Sequence, residues 1–268
     1  MKFIWLLLHL SFSILVFSQE LTLVETFTSP NPINTWTIDG QNNLLVVSEN
    51  NIQKKAINGE RRFNQTFKSL GNIQSISPIN AMKILLFSDV QQSIAIVDKT
   101  LSQQGDIIDL SELGFSNVVF ICASNRPNLI WVFDQFRSSL NLVDFQKSQI
   151  LQSIQNVETK GNSILEMKEY HDHFYVLFSD GMMNRYDFLL NFSGTYALEN
   201  CQQFGFWNQQ IVCLDKNATS LHFIPVDLRA SERKPDLQMD RSISSFIFQG
   251  NLLGIQKGQE ISIYSVKY

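Results

Sequence analysis

The chain has 268 residues, of which 44% are hydrophobic and 17% are charged, and its formal net charge at pH 7 is −4. A mildly acidic chain without lysine or arginine clusters attracts phosphate poorly, which argues against nucleic acid as a partner. Three cysteines are too few for a framework of disulfides, so stability is expected to come from a buried core.

The first 18 residues have the pattern of an export signal. Lys2 supplies the positive charge, the run 3–16 is almost wholly apolar, and we expect cleavage after Ser18. The apolar run is shorter than the roughly 20 residues of a spanning helix, so an uncleaved anchor is the alternative. We therefore expect a signal peptide over 1–18 and a single domain over 19–268 without a transmembrane segment. Such a protein would be periplasmic or extracellular, or associated with the cell envelope.

A strand is predicted over 21–27, and beyond it a pattern of six residues recurs six times. Each copy is a short apolar run stopped by an acid or an amide. The copies occupy 44–49, 84–89, 130–135, 175–180, 210–215 and 251–256. Their fourth residues follow one another at intervals of 35 to 46 positions. A period near forty with strand-like content is typical of β-propeller blades.

Each copy lies inside a larger unit of four predicted strands, which is clearest in the third unit. There the strands are predicted over 117–123, 129–134, 140–144 and 150–154, separated by turns rich in Asn, Asp, Ser and Pro. Runs this short between turn residues are not helices. The second strands are continuously apolar, which favours burial between neighbouring blades. The predicted fold is all-β, a six-bladed propeller of four-stranded antiparallel blades.

The sixth unit stops at its third strand, so its blade is one strand short. The strand predicted over 21–27 is spare. Pairing it with the last blade would close the ring and remove two exposed sheet edges. We therefore predict closure by the N-terminal strand.

The segment 130–144 resembles the core of an NHL-type blade, in which an apolar strand ends in Asp, turns, and enters another strand ending near Asp. The segment 84–98 is similar, and 44–57 and 175–187 share part of the pattern. The resemblance spans most of 33–268 and implies a six-bladed ring with a central channel, a shape also seen in exported bacterial proteins.

The fifth and sixth units depart from this pattern, with Cys213 and Gly254 where a bulky apolar residue is expected. The resemblance implies no particular chemistry. Such rings host hydrolases, lyases, lectin-like binders and interaction platforms alike.

Two of the cysteines flank a predicted two-residue turn at 208–209. That register sets Cys213 opposite Phe204. It sets Cys201 opposite Lys216, which keeps the two thiols apart, because a disulfide requires close Cα atoms. Two free thiols are therefore favoured, with a disulfide as the alternative.

The segment 169–173 holds two imidazoles and two carboxylates, which could bind Zn²⁺ or hold a proton. His171 and His173 are accordingly the metal candidates. A site would still need a third ligand from elsewhere, and the segment falls at a predicted turn between strands of the fourth blade. A polar surface turn is the favoured interpretation, and we predict no catalytic residue, no cofactor and no metal site.

Other residues have a structural and a functional interpretation. The acid or amide after each apolar run could form a ring that grips a ligand, but repetition once per blade favours a turn role, in which each side chain accepts backbone N–H bonds. This set comprises Glu49, Asp89, Gln135, Asp180, Asp215 and Gln256. Three tryptophans could bind sugars or peptides, but their position in or beside strands favours core packing. These are Trp36, Trp131 and Trp207.

With no reactive constellation evident, the leading hypothesis is a non-enzymatic binding or scaffold module that recognises a protein or a glycan through a propeller face. The alternative is a hydrolase or lyase whose site is built from several blades at the channel mouth. A third possibility is a subunit of an envelope complex.

Overall fold

The computed structural model describes residues 20–60, 62–157, 161–227, 236–239 and 242–267. In this part of the chain the structure is all-β, with six sheets of four strands, and every pairing is antiparallel. The predicted fold class is confirmed. No helix in these ranges is long and apolar enough to cross a membrane. The predicted signal peptide over 1–18 lies outside the described residues.

Each of the first three blades is a meander of consecutive strands. Blade 1 contains β2 (Thr35–Ile38), β3 (Asn43–Ser48), β4 (Asn51–Ala56) and β5 (Arg62–Thr66). Blade 2 contains β6 (Ser75–Pro78), β7 (Lys83–Ser88), β8 (Ser93–Asp98) and β9 (Ile108–Asp109). Blade 3 contains β10 (Val118–Ala123), β11 (Leu129–Asp134), β12 (Ser139–Asp144) and β13 (Gln149–Ile154).

Blades 4 and 5 repeat this arrangement, and blade 6 combines both ends of the described chain. Blade 4 contains β14 (Ile164–Tyr170), β15 (His173–Phe178), β16 (Met182–Asp187) and β17 (Phe192–Ala197). Blade 5 contains β18 (Cys201–Trp207), β19 (Gln210–Asp215), β20 (Ser220–Pro225) and β21 (Leu237–Gln238). Blade 6 contains β22 (Ser245–Gln249), β23 (Leu252–Lys257), β24 (Glu260–Lys267) and β1 (Glu20–Thr28).

The core is divided into six apolar clusters, one at each junction between neighbouring blades. The second strands are continuously apolar because successive side chains of a strand point to opposite faces. In β11, Trp131 and Phe133 belong to the cluster shared with blade 4. Ile130 and Val132 belong to the cluster shared with blade 2. Both faces of each second strand are therefore buried, as the sequence predicts.

The ring is closed by β1, which pairs antiparallel with β24 from Glu20–Lys267 to Thr28–Glu260. Side chains reinforce the junction, since Lys55 of blade 1 forms an ion pair with Glu25 of β1. The backbone N–H of Ser29 donates to the carbonyl of Gln259 over 2.9 Å. The predicted closure by the N-terminal strand is confirmed.

The prediction of two separate thiols in blade 5 is wrong, because Cys201 and Cys213 form a disulfide with Cα atoms 5.6 Å apart. Cys213 does lie opposite Phe204, but a register shift between Cys201 and Gln203 sets Cys201 opposite Asp215. An inserted residue moves the strand by one position and turns the next side chains to the other face of the sheet. The shift therefore places both sulfur atoms in the cluster between blades 4 and 5.

Candidate functional site

The first strands of the six blades surround a central channel with a volume of about 910 Å³. This volume is within the range of small-molecule sites, which makes the channel the first place to search for chemistry. Its lining contains two carboxylates, Glu166 and Glu169, and one ammonium group, that of Lys168. All three belong to β14.

Glu166 and Lys168 together bind the backbone of one residue in the neighbouring blade, Phe204. Glu166 Oε2 accepts a bond from the backbone N–H of Phe204 over 2.8 Å. Lys168 Nζ donates to the carbonyl of Phe204 over 2.6 Å and contacts Glu166 Oε1 over 2.6 Å. The inner edge of a first strand has backbone groups without a strand partner, and this charged pair satisfies one N–H and one C=O of that edge.

Two glutamines do the same at other junctions. Gln203 of blade 5 accepts from the N–H of Phe246 over 3.0 Å and donates to its carbonyl over 3.1 Å. Gln92 of blade 2 accepts from the N–H of Val118 over 2.7 Å and donates to its carbonyl over 2.9 Å. A side-chain amide carries both a donor NH2 group and an acceptor oxygen, so it can replace a strand partner at both backbone groups. We refer to these three contacts as inter-blade clasps.

Glu169 points to the opposite junction, toward blade 3. Its carboxylate accepts the indole N–H of Trp131 and, over 3.2 Å, the backbone N–H of Asn125. Both carboxylates of the channel are therefore held by hydrogen bonds between blades. Cys122 lies beside them, and burial, with the nearby Glu169 carboxylate, raises the pKa of its thiol, so that it is protonated at neutral pH.

All three tryptophans that could have been ligand platforms are buried at blade junctions. The indole N–H of Trp36 donates to Ser245 Oγ over 2.7 Å, which links blades 1 and 6. That of Trp207 donates to the Gly250 carbonyl over 3.1 Å, which links blades 5 and 6. These contacts support a packing role for the tryptophans, which is the interpretation that the sequence favours.

His171 and His173 lie where the sequence places them, at the turn between β14 and β15. His171 is exposed, whereas His173 begins β15 opposite Asp187. Desolvation lowers the pKa of His173, and the Arg185 guanidinium lowers it further, so its imidazole is neutral at pH 7. No cluster of three or more His, Cys, Asp or Glu side chains among the described residues has the geometry to hold a metal ion. The described residues thus form the predicted turn and bring no third ligand to the two histidines.

The acids that follow the second strands act mainly as turn acceptors. Asp89 accepts from the N–H of Val90 over 2.9 Å, and Asp180 from that of Met182 over 2.9 Å. Asp215 accepts from two backbone N–H groups of its turn. These three confirm the turn interpretation.

Two other members of that set behave differently. In blade 3 the turn acceptor is the buried Asp134, which binds the N–H of Phe136 over 3.0 Å, and not Gln135 as the pattern predicts. Gln256 accepts from Ser245 Oγ and donates to the Gly258 carbonyl. The strand of blade 3 ends at Asp134, as predicted, and this last residue of the strand, not the Gln135 that follows it, accepts the N–H groups of the turn.

A groove of about 440 Å³ lies between the outer parts of blades 4 and 5. Arg185 lines it, and its guanidinium donates to Tyr196 Oη over 3.1 Å and to the Ser193 carbonyl over 3.2 Å. Tyr196 in turn donates to the Val226 carbonyl over 2.7 Å. The guanidinium group in this groove is therefore bound to the protein itself.

The two ends of the propeller differ in which turns they carry. Because the blades are antiparallel meanders, turns between first and second strands and between third and fourth strands lie on one end, here named face A. Turns between second and third strands lie on the other end, face B. The turn at 188–191 is on face A, whereas Val90 and Phe136 are on face B.

Face A of blade 4 carries three large apolar side chains that point to solvent. Phe188, Leu189 and Phe192 are 53%, 54% and 61% exposed. Sequence reasoning missed this feature, because a run of apolar residues reads as core. The only sign of it is the position of the run directly after a predicted strand, where a turn is expected.

Comparison with known proteins identifies the fold alone. No family model matches the chain, and no curated protein matches it. The β-propeller domain of Myceliophteria thermophila Cps50 (Swd1) superposes with a TM-score of 0.65 at 10% identity, covering 92% of this chain and 100% of that one. The Neurospora crassa Pan2 WD40 domain gives 0.61 at 9% identity, covering 91% and 95%. Chaetomium thermophilum Raptor gives 0.63 at 10% identity, covering 93% of this chain and 30% of that one.

These likenesses support the six-bladed propeller that the sequence predicts. They leave the finer assignment to the NHL type as a prediction, since the WD40 domain among them is of another propeller type. At such low identity they carry no information on activity.

Proposed function

We propose that this protein is a non-enzymatic binding or scaffold module that recognises a protein partner through one face of the propeller. The observation that carries the proposal is that the charged side chains lining the channel are engaged in holding the blades together. Glu166, Lys168 and Glu169 are all bound to neighbouring blades. What the ring offers to a partner is its rigid ends and their turns, where binding residues of such scaffolds usually lie.

The competing hydrolase or lyase hypothesis requires a carboxylate or imidazole free to act on a substrate. A pair of carboxylates acting as general acid and base in the channel would have to come from Glu166 and Glu169, whose oxygens accept hydrogen bonds from neighbouring blades. Recognition of a glycan remains the second form of the binding hypothesis. It would use aromatic faces, yet the three tryptophans discussed above are buried.

We further propose that the protein is exported. Two features support this: the signal-like pattern over 1–18 and the Cys201–Cys213 disulfide. Disulfides persist in oxidising compartments and are rare in the cytosol. N-terminal sequencing of the protein from its native source tests the proposal, which expects a mature chain that starts at residue 19 or 20.

The binding function is tested by purification of the protein from its native envelope in mild detergent, followed by mass spectrometry of the proteins that co-purify. We expect a partner in stoichiometric amount. A clean monomer that binds a sugar on a glycan array would replace the protein partner with a glycan. Turnover of a substrate that is lost in Glu169→Gln, with the fold intact, would replace the binding function with an enzymatic one.

A further inference from the structure

The turn between β16 and β17 is held by hydrogen bonds between side chains and its own backbone. Asp187 Oδ1 accepts the backbone N–H groups of Leu189 and Asn191, each over 2.8 Å, and Asn191 Nδ2 donates to Asp187 Oδ2 over 3.0 Å. Leu190 has a positive φ of 66° and is buried at the junction with blade 3. Leu190 is turned inward, whereas its neighbours Phe188 and Leu189 are exposed.

Phe192 completes the exposed group, and its ring lies edge-on to Tyr186 with the centroids 6.0 Å apart. We name Phe188, Leu189 and Phe192 the blade-4 knob. Other large exposed apolar residues among those described occur singly or as one pair. They are Leu23, Met82, Val90, Phe136, Ile150, Leu151 and Met182. Apolar side chains concentrated at one exposed site indicate an interaction surface.

We propose that the blade-4 knob inserts into a concave apolar pocket of a partner protein, and that basic side chains rim this pocket. The inference rests on the proposed binding function and names its surface. A second copy of this chain does not fit the knob, because three half-exposed side chains fall short of the roughly 800 Å² per partner of a stable dimer. Two convex turns also cannot bury each other.

The charge of the rim follows from the groups that surround the knob. Asp172 is exposed, and His173 lies opposite Asp187 in the sheet. The bonds from Asn191 lower the pKa of Asp187, which keeps this carboxylate charged, while His173 is neutral at pH 7. Arg185, a cation of the same blade, is engaged with Ser193 and Tyr196 and keeps its charge. Two carboxylates against this one guanidinium leave a net negative charge beside the knob, which favours a basic partner.

The same carboxylates argue against a membrane as the occupant. An apolar turn that inserts into lipid is assisted by lysine or arginine, because biological membrane surfaces are anionic. Asp172 and Asp187 would instead be repelled. A pocket in a protein accommodates both the apolar side chains and the acidic flank.

The test starts from Leu189→p-benzoylphenylalanine, which photo-crosslinks the partner in the native envelope extract and identifies it. Binding of that purified partner is then measured for Phe188→Ser/Leu189→Ser/Phe192→Ser. We expect affinity to fall by roughly tenfold or more, as for the central residues of interfaces. Val90→Ser/Phe136→Ser removes two more exposed side chains, 70% and 79% accessible, from face B and is expected to bind normally.

Asp172→Lys tests the basic rim: we expect weaker binding by about threefold or more, and a smaller loss of affinity with added salt than in the wild type. If the triple variant melts at a lower temperature, Phe188→Ser/Leu189→Ser replaces it, since this leaves Phe192 on Tyr186. Unchanged binding by the knob variants overturns the inference while the binding function stands. No partner at all for the wild-type protein overturns the binding function itself.

Two further results would also overturn the inference. Flotation with phosphatidylcholine–phosphatidylglycerol vesicles that is lost in the triple variant would assign the knob to a membrane. A concentration-dependent dimer in sedimentation velocity that the triple variant abolishes would assign it to a second copy.

Discussion

Gly254 in β23 stands at the position where the other five blades have a valine, a phenylalanine or a cysteine. The reason is Trp36 of blade 1. A Cβ atom on Gly254 would lie 2.6 Å from Cη2 of that indole, closer than side-chain contacts allow. Because Gly254 has no side chain, there is room for Trp36, whose indole N–H donates to Ser245 Oγ across the junction of blades 1 and 6.

We expect Gly254→Ala to destabilise the protein by about 1–3 kcal/mol, because the added methyl group overpacks a buried site. Urea unfolding measures the loss. Gly40→Ala is the matched control, since nothing lies within 4 Å of a Cβ there. Equal effects of the two substitutions would contradict the role given to Trp36.

A second residue-scale feature is the buried ion pair of blade 1. Lys54 Nζ lies 2.8 Å from Asp39 Oδ2, and both side chains are almost inaccessible to solvent. Burial alone would raise the pKa of Asp39, but the bonds from Lys54 and Asn43 outweigh it and hold the pKa below the ordinary value of 3.8.

A carboxyl whose pKa is lower in the folded state stabilises the fold above its unfolded pKa and loses that contribution as the pH falls through its folded pKa. We expect Asp39→Asn to cost about 3–5 kcal/mol at pH 7, because it leaves Lys54 buried without a counter-charge. Between pH 4 and pH 2, roughly, the stability of the variant should fall less steeply than that of the wild type. Urea unfolding of both proteins at several pH values across this range measures the difference. If the free energy of unfolding had the same pH dependence in both, the ion pair would be unimportant.

At the scale of the element, β18 and β19 are joined by the disulfide as well as by their ladder. We expect reduction to lower the free energy of unfolding by about 2–4 kcal/mol, since the cross-link restricts the unfolded chain. Denaturation with and without dithiothreitol measures this. Cys201→Ala/Cys213→Ala should be insensitive to the reagent, whereas Cys122→Ala should respond like the wild type. A reagent effect that persists in the double variant would disprove the assignment.

At the scale of the whole molecule, β1 closes the ring although none of its side chains described is fully buried. Removal of residues 20–28 would expose the edge of β24 and the junction with blade 1. We expect the truncated protein to melt much lower or to aggregate. Addition of a synthetic peptide with the sequence of 20–28 should restore part of the melting temperature. A truncated protein as stable as the full chain would show that the ring does not depend on β1.

The sequence could predict the architecture because its determinants are local. Apolar runs end at turn residues in every blade, and the predicted second strands begin within two residues of the observed ones. Closure by β1 followed from counting strands. The position of Cys201 could not be predicted in this way, because a bulge changes the register without leaving a pattern in the residues.

The clasps and the blade-4 knob were hidden for a different reason. In the sequence, the residues that form the clasps look like ordinary surface residues: Gln92, Gln203 and Lys168. Only the approach of the next blade brings backbone groups within their reach. The run 188–190 contains three apolar residues in the sequence, and only the folded turn buries Leu190 and leaves Phe188 and Leu189 in solvent. Both features depend on geometry that arises after the blades assemble.

The three inter-blade clasps run in one direction. Blade 2 holds blade 3, blade 4 holds blade 5, and blade 5 holds blade 6, so each gripping side chain precedes its target in the chain. A nascent polypeptide leaves the ribosome or a translocation pore N-terminus first. The side chain of each clasp would therefore emerge before the backbone groups that it binds. Vectorial delivery would assemble the blades in order, and β1, which precedes the other described strands, would pair only when β24 appears.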